Sequence, residues 1–292
     1  MKKYVVFTAI VGGYDMVRQP IVVDDRFDYI LFTDTDGGER QIGVWRVRRI
    51  DYHNEVQTKI ARWVKTHPEV LLAEYEASLW LDANLQILSQ ELYDRVVDLY
   101  NQGVTISTVH NIFNPCVYYE MYNMVKLHLE KESVVLDWGR YLRKEGYPRM
   151  IGTAETSILY RWHRNHTIEN VDKLWWWSIE HYSRRDQLSF CYSLWKNNIW
   201  FEYFLPIGET MRDTKMLGYQ EVHADESKKW LKWSRWEAWI VRHAIRTGVS
   251  EDDMVELYYN IYGYLFPKAY IFVYGQLLRL LDFSKRRCRK EK

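Results

Sequence analysis

Short apolar runs broken by turn residues set the pattern of the first hundred positions. Tyr4-Val5-Val6-Phe7-Thr8-Ala9-Ile10 reads as a buried strand stopped by Gly12-Gly13. Tyr29 to Thr33 reads as a second, stopped by the polar and glycine residues 34–38. Trp45 to Ile50 predicts a third strand and Leu79 to Asp82 a fourth. Residues 54–66 place Val56, Ile60, Trp63 and Val64 on one helical face, with Lys59 and Arg62 beside it. Residues 89–102 predict another helix, and Val104 to Val109 another strand. Strands that alternate with helices imply an α/β fold with a mixed, mostly parallel sheet flanked by helices. Such sheets bind ligands at the carboxyl ends of their strands, where Gly12-Gly13, Asp34 and Asp82 stand.

From about residue 115 the pattern turns helical, with 115–130, 134–145, 154–164 and 183–197 as the clearest segments. Beyond residue 226 it reads as wholly helical and rich in Trp and Tyr. The division this predicts is an α/β body over 1–225 and a helical C-terminal extension over 226–292. No repeat and no Gly/Ser linker interrupts the chain.

Composition narrows the class. A 47% hydrophobic content is enough for a large core, and packing there accounts for most of the 16% aromatic residues. The other reading is that exposed Trp and Tyr stack on sugar rings, bases or a membrane interface. A net charge of +1 gives no global basic field, which argues against a nucleic-acid partner. Cys116, Cys191 and Cys288 form neither a CxxC pair nor a disulfide framework, as expected of a cytoplasmic protein. The N-terminus reads as a first strand and not as a signal peptide. No apolar run reaches the roughly 18 residues that span a bilayer.

Four constellations could carry chemistry. Asp82 and Asn84 lie at i and i+2 at a strand end, where an extended chain points both to one side. Together they could offer oxygens to Mg²⁺ or Mn²⁺; the alternative is an Asx turn bonded to local backbone. Ser183 and Asp186 have capping-box spacing ahead of an apolar face, which puts Asp186 and Gln187 in the first turn of a helix. Arg184 and Arg185 add positive charge there. Trp175-Trp176-Trp177 cannot all face one core, so at least one is exposed or lines a cleft. His223 could add an imidazole ligand to a metal, and Lys228 and Lys229 could hold a diphosphate or form a solvated helix face. Signatures of P-loop, dinucleotide-binding, α/β-hydrolase and zincin enzymes are absent from the sequence.

FTAIVGGYD at 7–15, DYILFTD at 28–34, SLWLDANLQI at 78–87 and WWWSIEHYSRRDQLSF at 175–190 follow one another in order. This series resembles a plant and bacterial family of glycosyltransferase-like proteins that includes turgor-regulation and seed-mucilage proteins. The resemblance covers roughly residues 4 to 205. It implies a GT-A-like fold and transfer of a sugar from a nucleotide-sugar donor, most simply a UDP-sugar, with Mn²⁺ or Mg²⁺. Matched position by position, Asp82 and Asn84 take the metal and donor-phosphate motif. Thr8, Ala9 and Tyr14 match the first-strand loop beside the base and ribose, and Asp34 the end of the second strand. Lys59 and Arg62 match basic residues ahead of the D-x-N strand, and Asp186 and Gln187 the segment lining donor sugar and acceptor. The motif holds one carboxylate where GT-A enzymes usually hold two. His223, followed by Lys228 and Lys229, is therefore the expected further ligand, by a looser similarity to glycogenin-like and lipooligosaccharide galactosyltransferases.

The C-terminal tail suggests where the acceptor is: a glycan or lipid-linked glycan at a membrane surface would fit capsule, lipopolysaccharide or other envelope polysaccharide synthesis. The apolar segments 269–274 and 277–281, followed by the basic residues of 285–290, suit an interfacial helix at the inner face of a membrane or an ordinary packed terminal helix. Two other classes compete. A carbohydrate-binding or inactive scaffold would use the tryptophans without needing Asp82. A nucleotidyltransferase would bind a nucleoside triphosphate.

Overall fold

The computed structural model describes residues 2–13, 16–35, 41–111, 116–126, 129–148, 151–206 and 209–219. Tyr14, His223, Lys228, Lys229 and the expected C-terminal extension lie outside the described residues. In chain order the elements are β1 (Tyr4–Ile10), β2 (Phe27–Thr33), β3 (Gln41–Ile42), β4 (Trp45–Arg49), α1 (Gln57–Thr66), α2 (Pro68–Leu71), β5 (Ala77–Leu81), β6 (Leu85–Ile87) and α3 (Glu91–Asn101). There follow β7 (Ile106–His110), α4 (Val117–Lys126), α5 (Glu132–Lys144), β8 (Ala154–Trp162), α6 (His166–His181), α7 (Gln187–Lys196), β9 (Glu202–Tyr203) and β10 (Leu217–Tyr219).

The chain divides into two compact units. Among the described residues the first holds those up to 111 and 152–219, and contains the sheet. The second includes residues 115–151, which form α4 and α5. There α4 packs on α5 across Gly139, where a Cβ would meet Met121 Cε at 2.6 Å. Trp138 stacks on Tyr141 in the same unit, ring centroids 5.5 Å apart.

The main sheet runs β3-β4-β2-β1-β5-β8-β7-β9. Strands β4, β2, β1 and β5 are parallel; β8 is antiparallel to both β5 and β7; and the edge strands β3 and β9 have two residues each. This is the mixed, mostly parallel sheet the alternation predicts. The order turns back at β1: the chain steps outward through β2 and β4, then returns to lay β5 on the other side of β1. A crevice opens at such a reversal, at the carboxyl ends of the strands.

Alternation within each strand feeds two cores. Val5, Phe7 and Ala9 of β1 face Ile60 and Val64 of α1, Val171, Trp175 and Ile179 of α6, and Phe190 and Leu194 of α7. Tyr4, Val6 and Ile10 face the other side, where Leu92, Tyr93, Val96 and Leu99 of α3 cover them. Both layers exclude water, which is why the strands read as continuous apolar runs. Among the described residues no helix is long and apolar enough to cross a membrane.

Two expectations are corrected. Residues 154–164 were expected to be helical, but Ala154–Trp162 is a strand, paired on one side with β5 and on the other with β7. Its buried run is what a central strand needs, and periodicity alone does not separate that from a buried helix. The helix over 166–181 was not among the expected segments; Asn165 caps it, its side chain accepting from Thr167 and Ile168 N–H at 3.0 and 3.2 Å.

One buried histidine ties this frame to pH. His163 Nδ1 lies 3.2 Å from the Tyr75 carbonyl and Nε2 lies 2.8 Å from Ser78 Oγ. The carbonyl can only accept, so Nδ1 donates to it; with burial disfavouring the charged ring, Nε2 is left to accept from the Ser78 hydroxyl. Burial, helped by nearby Arg161, lowers its pKa from 6.5 to about 4. The unfolded chain binds the extra proton in that window, so this contribution is present above 6.5 and is lost as pH falls to 4. Its size is up to about 3 kcal/mol. In His163→Gln the stability difference from wild type should shrink as pH falls from 7 to 4, as measured by urea unfolding. A constant difference across that range would refute the assignment.

Candidate active site

The carboxyl end of β5 carries Asp82. Its main-chain N–H donates to the Ser157 carbonyl of β8 at 2.9 Å, which continues the ladder by one residue. The chain then turns: Leu85 N–H donates to the Asp82 carbonyl at 2.9 Å. Asp82 to Leu85 is thus a tight turn, and the extended i, i+2 geometry expected for Asp82 and Asn84 does not hold. Nor does the Asx-turn alternative describe the Asp82 side chain. Its Oδ1 accepts from the indole N–H of Trp80 at 2.7 Å, so a buried tryptophan two residues back aims the carboxylate.

Opposite Asp82 stands Asp186, 4% exposed. The expected capping box is not formed. Asp186 is the N-cap of α7 without a side-chain cap bond, and Ser183 Oγ accepts instead from Arg185 N–H at 3.0 Å. The reason is competition: the Asp186 carboxylate is taken by two cations. Arg62 Nε lies 3.1 Å from Oδ1; Lys65 Nζ lies 2.6 Å from Oδ2, to which Thr156 Oγ1 also donates at 2.8 Å. Both cations also face Asp82 Oδ1, at 4.0 Å for Arg62 and 3.7 Å for Lys65. Two carboxylates and two cations therefore form one neutral, mostly buried cluster beside the reversal of strand order. Burial alone would raise the Asp186 carboxyl, but Arg62 and Lys65, with hydrogen bonds from Lys65 and Thr156, hold it far below the usual carboxylate range.

Lys65 is the residue that sequence reading missed. Only 1% exposed, its ammonium sits 5.4 Å from the Trp80 ring and 5.7 Å from the Trp175 ring. Trp175 also donates its indole N–H to the Asp186 carbonyl at 2.9 Å. Of the three adjacent tryptophans, Trp175 is the core residue. Trp176 is partly buried against Tyr52 and His67, and Trp177 stacks on His181. Thr156 was missed as well. It reaches Asp186 because β8 bulges: the register passes from Thr108↔Leu159 to Val109↔Glu155, leaving 156–158 as extra residues. Thr108 Oγ1 closes the bulge by reaching the Ile158 and Glu155 carbonyls at 2.6 and 3.1 Å. Beside Thr156, the Glu155 carboxyl is buried, its Oε2 has no hydrogen-bond partner among the described residues, and burial raises its pKa.

The other expected residues fall in different places. Thr8 and Ala9 lie inside β1 and not in a loop, and the buried Thr8 Oγ1 has no hydrogen-bond partner among the described residues. Asp34 accepts from Gly12 N–H at 2.8 Å and so ties the ends of β1 and β2 together. Gly12 and Gly13 have φ of 66° and 64°, and a Cβ on Gly12 would collide with the Gln57 side chain. Lys59 turns away from Asp82 and donates to the Glu180 carbonyl at 2.7 Å. Gln187 opens α7, partly exposed and with no side-chain hydrogen bond among the described residues.

Asp82 Oδ2 and the Asn84 amide have no hydrogen-bond partner among the described residues, and both are partly exposed. Oxygens of this kind are the ligand type a hard divalent cation prefers. Among the described residues no group of three or more His, Cys, Asp or Glu could hold a metal.

A model of the TOD1/MUCI70 glycosyltransferase-like domain matches residues 1–206. The chain belongs to the TOD1/MUCI70 family. The matched region contains the whole Asp82–Asp186 cluster. No curated protein matches the chain. Among solved structures, an apo structure of the bifunctional glycosyltransferase WbbM is 10% identical with a TM-score of 0.41, over 69% of this chain. The chain spans 38% of the length of WbbM. An active-site mutant of LgtC is 10% identical with a TM-score of 0.36, over 79% of this chain and 95% of that one.

Proposed function

We propose that this TOD1/MUCI70 protein transfers a sugar from a nucleoside diphosphate donor, a UDP-sugar, to a hydroxyl of a glycan or lipid-linked glycan. The observation that carries this reading is the convergence of Asp82, Asp186, Arg62 and Lys65 at the strand-order reversal of a glycosyltransferase-like domain. Sugar transfer from such a donor leaves negative charge on the departing diphosphate oxygen. Preorganised cations stabilise that charge without reorganising during the reaction. Arg62 and Lys65 are such cations, held in place before any ligand arrives. Asp186 keeps them charged and aligned. Asp82 and Asn84 would hold Mn²⁺ or Mg²⁺, which when bound adds Lewis-acid charge at the diphosphate oxygens. Gln187, with its side chain unengaged at the start of α7, faces donor sugar or acceptor. His223, Lys228 and Lys229 complete the proposal as further metal and diphosphate contacts, and the 269–290 segment as a contact to a membrane surface that presents the acceptor.

Thermal unfolding with UDP and Mn²⁺ tests this. At about 100 times the dissociation constant a ligand adds about 2.7 kcal/mol, an increase of about 5 °C or more for a domain of this size. The increase should need both UDP and Mn²⁺ and should vanish in Asp82→Ala. Wild type that unfolds at the same temperature with and without them would remove the reading.

A further inference from the structure

Behind the cluster lies a second buried ion pair that the proposed chemistry does not use. Arg161 of β8 is 0% exposed and Asp172 of α6 is 1% exposed, and Arg161 Nη1 lies 2.8 Å from Asp172 Oδ1. A buried pair of this kind is weak evidence for stability, because well-packed apolar residues in its place are often neutral or stabilising. The other arm of the guanidinium is informative. Arg161 Nη2 donates to the Lys65 main-chain carbonyl at 2.5 Å.

That carbonyl belongs to the last turn of α1, whose C=O groups have no partner within the helix. Thr66 Oγ1 takes the Arg62 carbonyl at 2.9 Å, and His67 Nδ1 bonds the Trp63 carbonyl at 2.8 Å. Arg161 takes that of Lys65, the residue whose side chain carries the buried charge. One turn along α6 from Asp172, Trp175 donates to the Asp186 carbonyl at 2.9 Å. One face of α6 thus holds Lys65 by its backbone through Arg161, and Asp186 by its backbone through Trp175. The Lys65–Asp186 contact of 2.6 Å is set by that helix.

We infer that Arg161 and Asp172 are positioning residues that hold Lys65 in register for a diphosphate. This rests on the diphosphate assignment proposed above. Single substitution of either residue strands a buried charge, so the deciding variant is Arg161→Met/Asp172→Leu, which replaces the pair by apolar side chains. Two readouts are needed. The first is the ¹⁵N signal of the Lys65 ammonium, identified by its loss in Lys65→Met and read without any nucleotide. The second is affinity for UDP and for uridine by titration calorimetry with Mn²⁺. The double variant should unfold within a few degrees of wild type, shift or broaden the Lys65 signal, and bind uridine within about twofold of wild type. Its affinity for UDP should fall about tenfold or more. An unmoved Lys65 signal overturns the inference, whatever the nucleotide does. So does a large drop in unfolding temperature, or an equal loss of UDP and uridine binding, since either assigns the pair to the fold alone. Wild type that does not prefer UDP to uridine removes the diphosphate assignment instead, and the Lys65 signal still decides the positioning.

Discussion

Asp186→Ala should lower the unfolding midpoint by about 10 °C, corresponding to about 3–5 kcal/mol. The substitution leaves Arg62 and Lys65 facing each other with only Asp82, at 4.0 and 3.7 Å, to balance them. Lys65 is only 1% exposed, and an uncompensated buried charge is the costly case. The loss should depend on pH in one direction. Burial would raise the Asp186 carboxyl, but Arg62 and Lys65 hold it below its ordinary 3.8, so its contribution is present above that pH and is lost as the medium becomes more acid. Calorimetric scans of both proteins from pH 7 to 2 should therefore converge only at the acid end. If Asp186→Ala unfolds within about 2 °C of wild type at pH 7, the cluster is not the buried ion network described.

The second large effect falls on ligand more than on fold. Lys65→Met should weaken UDP binding by about 10- to 100-fold, the weight of one charge-assisted hydrogen bond. Its cost in stability should be smaller than that of Asp186→Ala, because Asp186 keeps Arg62 at 3.1 Å and Thr156 at 2.8 Å. Titration calorimetry of UDP in the presence of Mn²⁺ reads the effect. A change under threefold would place Lys65 behind the ligand and not against it. The contrast is informative: removing the anion should hurt the fold first, and removing the cation should hurt binding first.

How much of this was legible in the sequence depends on how local each feature is. The first strands declare themselves, because a strand buried on both faces is a continuous apolar run with glycine or aspartate at its end. Asp82 stands out for a related reason, as a carboxylate at the end of an apolar run, whereas Asp186 sits in the polar stretch Ser183-Arg184-Arg185-Asp186-Gln187 and shows only through its helix-start spacing and the family resemblance. The Ala154–Trp162 strand does not, since its register depends on β5 and β7, which lie far away in sequence. Lys65 was missed although Lys59, Arg62 and Lys65 recur every third position along α1. A lysine at such spacing reads as a solvated face until its carboxylate is known, and that carboxylate lies 121 positions away. The Asp82–Asn84 geometry failed for the opposite reason. It was read from the ideal strand, and the turn that breaks the strand is a single hydrogen bond, from Leu85 to Asp82.

The two-residue rims of the main sheet have a practical consequence for all of these measurements. A long, bare outer strand is a template on which a second molecule can add itself and begin a fibre. Here Gln41–Ile42 and Glu202–Tyr203 offer too few free amides and carbonyls for that kind of growth. The sheet itself should therefore not drive clumping at the protein concentrations that calorimetry and NMR demand.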